Sequence, residues 1–186
     1  MRKLSVVFLL AAALFASCKK EVETVEKLFT FEMRNEKAFV AKQDEVNAAY
    51  DYIGSDMAFP LKIASDSEAE FKRNNTSTNL VKNIKLKELK MAMPATLSED
   101  FSFLREIEVY VAHQDGSKPV LMAYAKNIPA TIGKTLVLTP TDNAMDEYVK
   151  SGNYSMKVSG VMARKVTSDL DIKANMVFSV TASPLN

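Results

Sequence analysis

Apolar and polar residues alternate with a period of two along most of this chain, the mark of strands with one buried face. From Leu28 to Arg34, Phe29, Phe31 and Met33 fall on one side and Thr30, Glu32 and Arg34 on the other. Phe59 to Ala64 is a short second candidate. From Ile84 to Met93 the alternation slips: Ile84 and Leu86 are out of phase with Leu89, Met91 and Met93. One extra residue near Lys87-Glu88, as in a β-bulge, restores a single buried face. Glu106 to His113 sets Ile107, Val109 and Val111 against Glu106, Glu108 and Tyr110. The turn from Gln114 to Lys118 leads into an apolar strand from Pro119 to Lys126, which makes 106–126 the clearest hairpin.

Thr135 to Leu138 is a further short strand. After Thr139-Pro140-Thr141-Asp142, the residues Met145, Tyr148 and Val149 recur at i, i+3 and i+4, and Gly152 supplies a stop. Two long strands close the chain, with Tyr154, Met156, Val158 and Gly160 in one phase and Leu170, Ile172, Ala174, Met176, Phe178 and Val180 in another. Short helical turns are predicted near Thr76 to Lys82 and Glu99 to Leu104. Seven or eight strands with one polar face each need a second apolar layer. The expectation is therefore a mainly β fold: an antiparallel immunoglobulin-like β-sandwich with one or two short helices. Its expected core holds Ile107, Val109, Val111, Val158, Ile172, Met176 and Phe178.

The segment from Lys82 to Thr181 also looks like the immunoglobulin-like sandwich of the late-embryogenesis-abundant, water-stress family. The strands Ile107-Glu108-Val109-Tyr110-Val111 and Tyr154 to Gly160, with their spacing, carry that resemblance. It implies a fold and no chemistry.

The N-terminus departs from the strand pattern. Met1-Arg2-Lys3 is a short positive stretch, followed by an apolar run from Leu4 to Leu14 and then Phe15-Ala16-Ser17-Cys18. The run is too short for a stable span of the bilayer core and reads as a secretory signal. Leu14-Phe15-Ala16-Ser17-Cys18 resembles the lipobox of bacterial lipoproteins, with Phe15 where the strict pattern has Leu. The resemblance implies cleavage before Cys18 and its acylation, palmitate included, with more than one chain, which anchors stably where a single chain does not. Residue 19 is Lys and not the Asp that resembles an inner-membrane retention signal, so the expected place is the outer membrane of the cell envelope. The expected organisation is a signal peptide at 1–17, a lipidated tether at 18–27 and a single β-sandwich domain at 28–186.

Composition limits the chemistry. Lys and Arg number 24 against 23 Asp and Glu, so no charge excess points to nucleic acid. One Cys and one His leave no disulfide pair and too few ligands for thiolate–imidazole zinc sites. No cofactor is implied. His113 sits at a strand end with no nucleophile motif near it. Asp66, Glu68 and Glu70 alternate, as do Asp169 and Asp171, and each set is expected on one face of an extended edge where water keeps carboxylates ionised. Neither is followed by the glycine of an EF-type calcium loop. Lys82, Lys85, Lys87 and Lys90 read as a solvated outer face.

Tyr50-Asp51-Tyr52 is the most suggestive surface feature: on a strand, Tyr50 and Tyr52 would share a face and offer a platform for sugar or peptide. Two function classes follow. The first is an outer-membrane-anchored lipoprotein acting as a non-enzymatic binding or structural module, with a protein, peptide or glycan ligand. The second is a carboxylate-based hydrolase with no histidine in its site. If Cys18 carries the anchor, Cys18→Ala leaves an uncleaved or soluble precursor that takes up no labelled fatty acid. Label incorporated by that variant would defeat the lipobox assignment.

Overall fold

The computed structural model describes residues 30–51, 59–64 and 67–182. Cys18, Tyr52 and Asp66 lie outside these residues. The elements are β1 (Thr30–Ala41), α1 (Gln43–Asp51), β2 (Phe59–Ala64), α2 (Ser67–Arg73), β3 (Val81–Ala92), β4 (Leu104–His113), β5 (Val120–Ala125), β6 (Thr135–Pro140), α3 (Asp146–Val149), β7 (Asn153–Met162) and β8 (Leu170–Ala182). A single 3-10 turn, Phe101–Phe103, precedes β4. Among the described residues, no helix is long and apolar enough to cross a membrane.

All strand pairings are antiparallel, as the alternation predicts. The expected division into two separate sheets is not what the hydrogen bonding shows. The eight strands form one sheet in the order β1-β8-β3-β6-β5-β4-β7-β2, curled into a half-barrel. Its two halves meet through β5 and β6, which pair only at Ala123↔Pro140 and Tyr124↔Thr139. So narrow a junction lets the sheet turn sharply between β5 and β6.

The concave face is the core. Every residue expected there is buried except Val158, which is half-buried against it. The bulge near Lys87-Glu88 is present: Leu86 pairs with Phe178 and Glu88 with Val177, leaving Lys87 as the extra residue. A second irregularity lies between Lys82 and Lys85, where Asn83 has a φ of 51°. It frees the backbone of Ile84 from the ladder, and the region around α3 satisfies it. Met145 N donates to Ile84 O at 2.7 Å, and Ile84 N donates to Asp146 Oδ2 at 3.0 Å. Buried backbone groups need such partners, so the register shift and the helix support each other. Gly152 follows α3 at φ 74°, the left-handed position that ends a helix without a Cβ penalty.

Three local expectations change. β1 runs on to Ala41 instead of stopping near Arg34, past the polar run Asn35-Glu36-Lys37. Residues 78–80 form a turn, but β3 already begins at Val81. Residues 67–73 are helical, so Glu68 and Glu70 do not share an extended edge. Glu68 pairs instead with Lys72 at 2.8 Å, one helical turn on, and Glu70 with Arg73.

Phe178 is 1% exposed on β8, between β1 and β3. Phe178→Ala is expected to destabilise the fold by about 3–5 kcal/mol in denaturant titration. A loss under about 1 kcal/mol would mean the side chain is not a core anchor.

Candidate functional site

Of the expected tyrosine platform, Tyr50 lies on a helix and not on a strand, and Tyr52 lies outside the described residues. Tyr50 is the penultimate residue of α1. Tyr50 is 41% exposed, with Lys165 Nζ 5.9 Å from its ring centroid. A lone ring under a cation is what the described residues show here. The difference has a local cause: the β-favouring Tyr50 stands near the end of a helix set up by Gln43-Asp44-Glu45 and fixed from outside. Asp169 accepts from Gln43 N at 2.9 Å and from Lys42 Nζ at 2.7 Å. These bonds, Lys42 first, hold the Asp169 carboxyl below its usual range. Asn47 completes the docking, donating to Val166 O at 2.9 Å and accepting from Val166 N at 2.8 Å.

His113 ends β4 and is half-buried. Its Nε2 lies 2.8 Å from Glu147 Oε1, and its ring centroid is 5.3 Å from that of Tyr148. Lys118 Nζ reaches the same carboxylate oxygen at 2.9 Å, and Tyr148 donates to Lys118 O at 2.8 Å. Lys118 and then His113 keep the Glu147 carboxyl below its usual range. Burial and the Glu147 charge push the Tyr148 phenol up. The group ties the β4–β5 turn to α3. Ser155, a buried serine on β7, donates to the backbone oxygen of His113 at 2.7 Å, so histidine and serine are not arranged as base and nucleophile.

Glu99 is the buried carboxylate that the sequence reading did not single out. It is 3% exposed; Thr167 N and Oγ1 each donate to its Oε1 at 2.6 Å, and Arg164 approaches its Oε2 at 2.8 Å. Burial works to raise its pKa, but the Thr167 and Arg164 bonds outweigh that and hold it low. Arg164 also donates to Ser102 Oγ at 3.2 Å. The cluster clamps the β7–β8 connection onto the turn before β4. Its only forewarning in the sequence was a lone Glu within a predicted helical turn.

The lysine stripe behaves as a solvated face. Lys85 pairs with Asp142 at 3.5 Å and Lys87 with Glu32 at 2.5 Å. Among the described residues, no group of three His, Cys, Asp or Glu is placed to hold a metal.

The fold gathers tyrosines elsewhere, on the convex face of β4, β5 and β7. Glu108 stands between Tyr124 on β5 and Ser159 on β7; in the next row Tyr110 stands between Leu121 and Lys157. Tyr110 donates to Glu108 Oε2 at 2.6 Å. Both tyrosines and Leu121 are half-buried, and Val161 on β7 is 52% exposed. The sequence placed Tyr110 outward but read β5 as apolar on both faces. The register shift between Val109 and Tyr110 is what turns Leu121 and Tyr124 to the same convex side.

On the other half of the sheet, an apolar surface groove of about 500 Å³ crosses the ends of β1, β8 and β3, with Ala38, Val40, Ala92, Pro94 and Lys173 in its lining. Beneath the sheet, a separate apolar crevice of about 40 Å³ between Phe39, Met91, Ile107 and Ile172 is small enough for little more than a water molecule. No protein-family model matches the chain, and no curated protein matches it.

A carboxyl held low in the folded state stabilises fully above its unfolded value, near 4.5 for Glu99, and loses that contribution as pH falls through the folded value. Glu99→Ala is therefore expected to lower stability at pH 7 by about 1–3 kcal/mol. Urea melts at pH 7 and pH 3 should show the gap from wild type narrowing on acidification. A gap independent of pH would remove the charged clamp.

Proposed function

We propose that the chain is an outer-membrane lipoprotein, anchored through acylated Cys18, that serves as a non-enzymatic binding module whose ligand is another protein of the cell envelope. The observation that carries this reading is the convex face of β4, β5 and β7. Tyr110, Tyr124, Leu121 and Val161 stand there among Glu108, Lys157 and Ser159 on a hydrogen-bonded sheet. Aromatic residues set among mixed charges, on a backbone that need not reorganise, are the composition of protein–protein contact surfaces. Leu121 and Val161 favour a protein surface over a sugar, whose hydroxyls would meet branched aliphatic carbon there.

The two four-stranded halves of the sheet serve in this reading as the facing layers of a flattened, immunoglobulin-like sandwich. Its support is Asn35 on β1, whose Nδ2 donates across the interior to Tyr154 OH on β7 at 3.3 Å. A hydrolase built from carboxylates fits less well. Such chemistry needs one carboxyl raised into the working range, whereas the displaced carboxyls among the described residues (Glu32, Glu68, Glu99, Asp100, Asp115, Glu147 and Asp169) all move down.

Cross-linking of the full chain in its native envelope, followed by recovery of the adduct, tests the face. Tyr110→Ala with Tyr124→Ala is expected to reduce the adduct about tenfold or more while the chain stays folded. His113→Ala should leave it at the wild-type level. Undiminished cross-linking by the tyrosine variant, or loss with the histidine variant alone, would refute the assignment. Retention of the wild type on envelope glycan in place of protein would give the face to a sugar.

A further inference from the structure

We propose that Lys37 guards the open edge of the sheet, its charge on the concave side preventing a second copy of this chain from adding a strand to β1. The strand order places β1 at one end of the sheet, hydrogen-bonded to β8 on one side. It is 12 residues long, and among the described residues no strand pairs with its other edge, although β2, at the far end of the sheet, comes near it. Such an edge is a template for another strand unless something on it resists.

The inward positions of β1 are Phe31, Met33, Asn35, Lys37, Phe39 and Ala41. Lys37 is the one charged residue among them. It stands opposite Ala174, which is 0% exposed and stands in turn opposite Met91, 1% exposed. A row of core side chains therefore ends at an ammonium group. Ala174 is small enough to leave room for the lysine stem, and the side chain is half-buried. Asn35 beside it is engaged by Tyr154, whereas Lys37 has no ion-pair partner among the described residues.

The same strand carries what would attract a second copy. Val40 is 50% exposed and, with Ala38, lines the groove of about 500 Å³ on the convex side. The commonest way for identical edges to meet is a two-fold antiparallel pairing, and one centred on residue 39 sets Val40 of each copy beside Ala38 of the other, with Lys37 opposite Ala41. Pairing centred on residue 37 instead sets the two lysines directly opposite. Either one extends the core row by another side chain and covers the ammonium with no anion to receive it. Like charges opposite one another, or a covered unpaired charge, oppose the association that the groove favours.

Sedimentation of the full chain over a range of concentrations tests this. Lys37→Met keeps the stem and removes the charge; it should associate to a dimer or larger at concentrations at least tenfold below those at which wild type does. Lys37→Arg and Lys37→Glu keep a charge and should sediment as wild type. Val40→Lys added to Lys37→Met should restore the wild-type mass. Equal association by Lys37→Met and wild type would overturn the proposal. So would association of Lys37→Glu, or failure of Val40→Lys to reverse the effect. If Lys37→Met does not fold, Lys37→Gln, which also removes the charge, takes its place with the same expected and overturning outcomes.

Discussion

A sheet that curls on itself must fill its concave side from several strands at once, and here β8 is the strand on which the rest depends. It lies between β1 and β3, and six of its residues, Leu170, Ile172, Ala174, Met176, Phe178 and Val180, point inward and are buried. Its partners accommodate it: the bulge at Lys87 in β3 exists because β3 must keep Leu86 and Leu89 inward against an unbroken β8. The irregularity at Asn83 then creates the backbone needs that α3 meets. Register in one strand thus fixes the position of a helix more than fifty residues away in sequence.

The connections do the complementary work of holding the ends of the curl. Asp169 and Val166 fasten α1, while Glu99, Arg164 and Thr167 fasten the β7–β8 connection to the turn before β4. His113, Glu147 and Lys118 fasten the β4–β5 turn to α3. Each cluster is made of the residue types that catalysis uses, yet each spends its hydrogen-bonding capacity on backbone and loop closure. Reactive side chains already saturated by structural partners need a reorganisation before they can meet a substrate. The proposed recognition face lies elsewhere, on the convex side around Tyr110 and Tyr124.

Much of this was legible in the sequence, because a period of two reports which side chains are inward and says so strand by strand. The slip between Leu86 and Leu89 revealed the bulge at Lys87, since one surplus residue inverts every later side chain. Inward Asn35 and Lys37 hid the second half of β1, because there the edge of the sheet and not its middle sets the polarity. Strand order was illegible: the junction of β5 and β6 rests on two residue pairs and leaves no periodic trace. Tyr50 was misplaced because the partners that fix its helix, Val166 and Asp169, lie more than a hundred residues along the chain. Tyr124 was missed because the shift that turns it outward sits in the pairing of two strands, not in the sequence of either.

The pairing of Thr30 with Thr181 has a kinetic meaning as well. The first strand finds its ladder partner only in the last, so closing it spans nearly the whole described chain. Loop-closure entropy of that size must be met before those contacts repay it, which makes completion of the sheet a late and slow event. Until residues 170–182 are synthesised, β1 and β3 both lack the strand that joins them, and the core has no floor. A nascent chain of this topology can pair β4 with β5 and β7 early, but β1 stays without its ladder until residues 170–182 arrive.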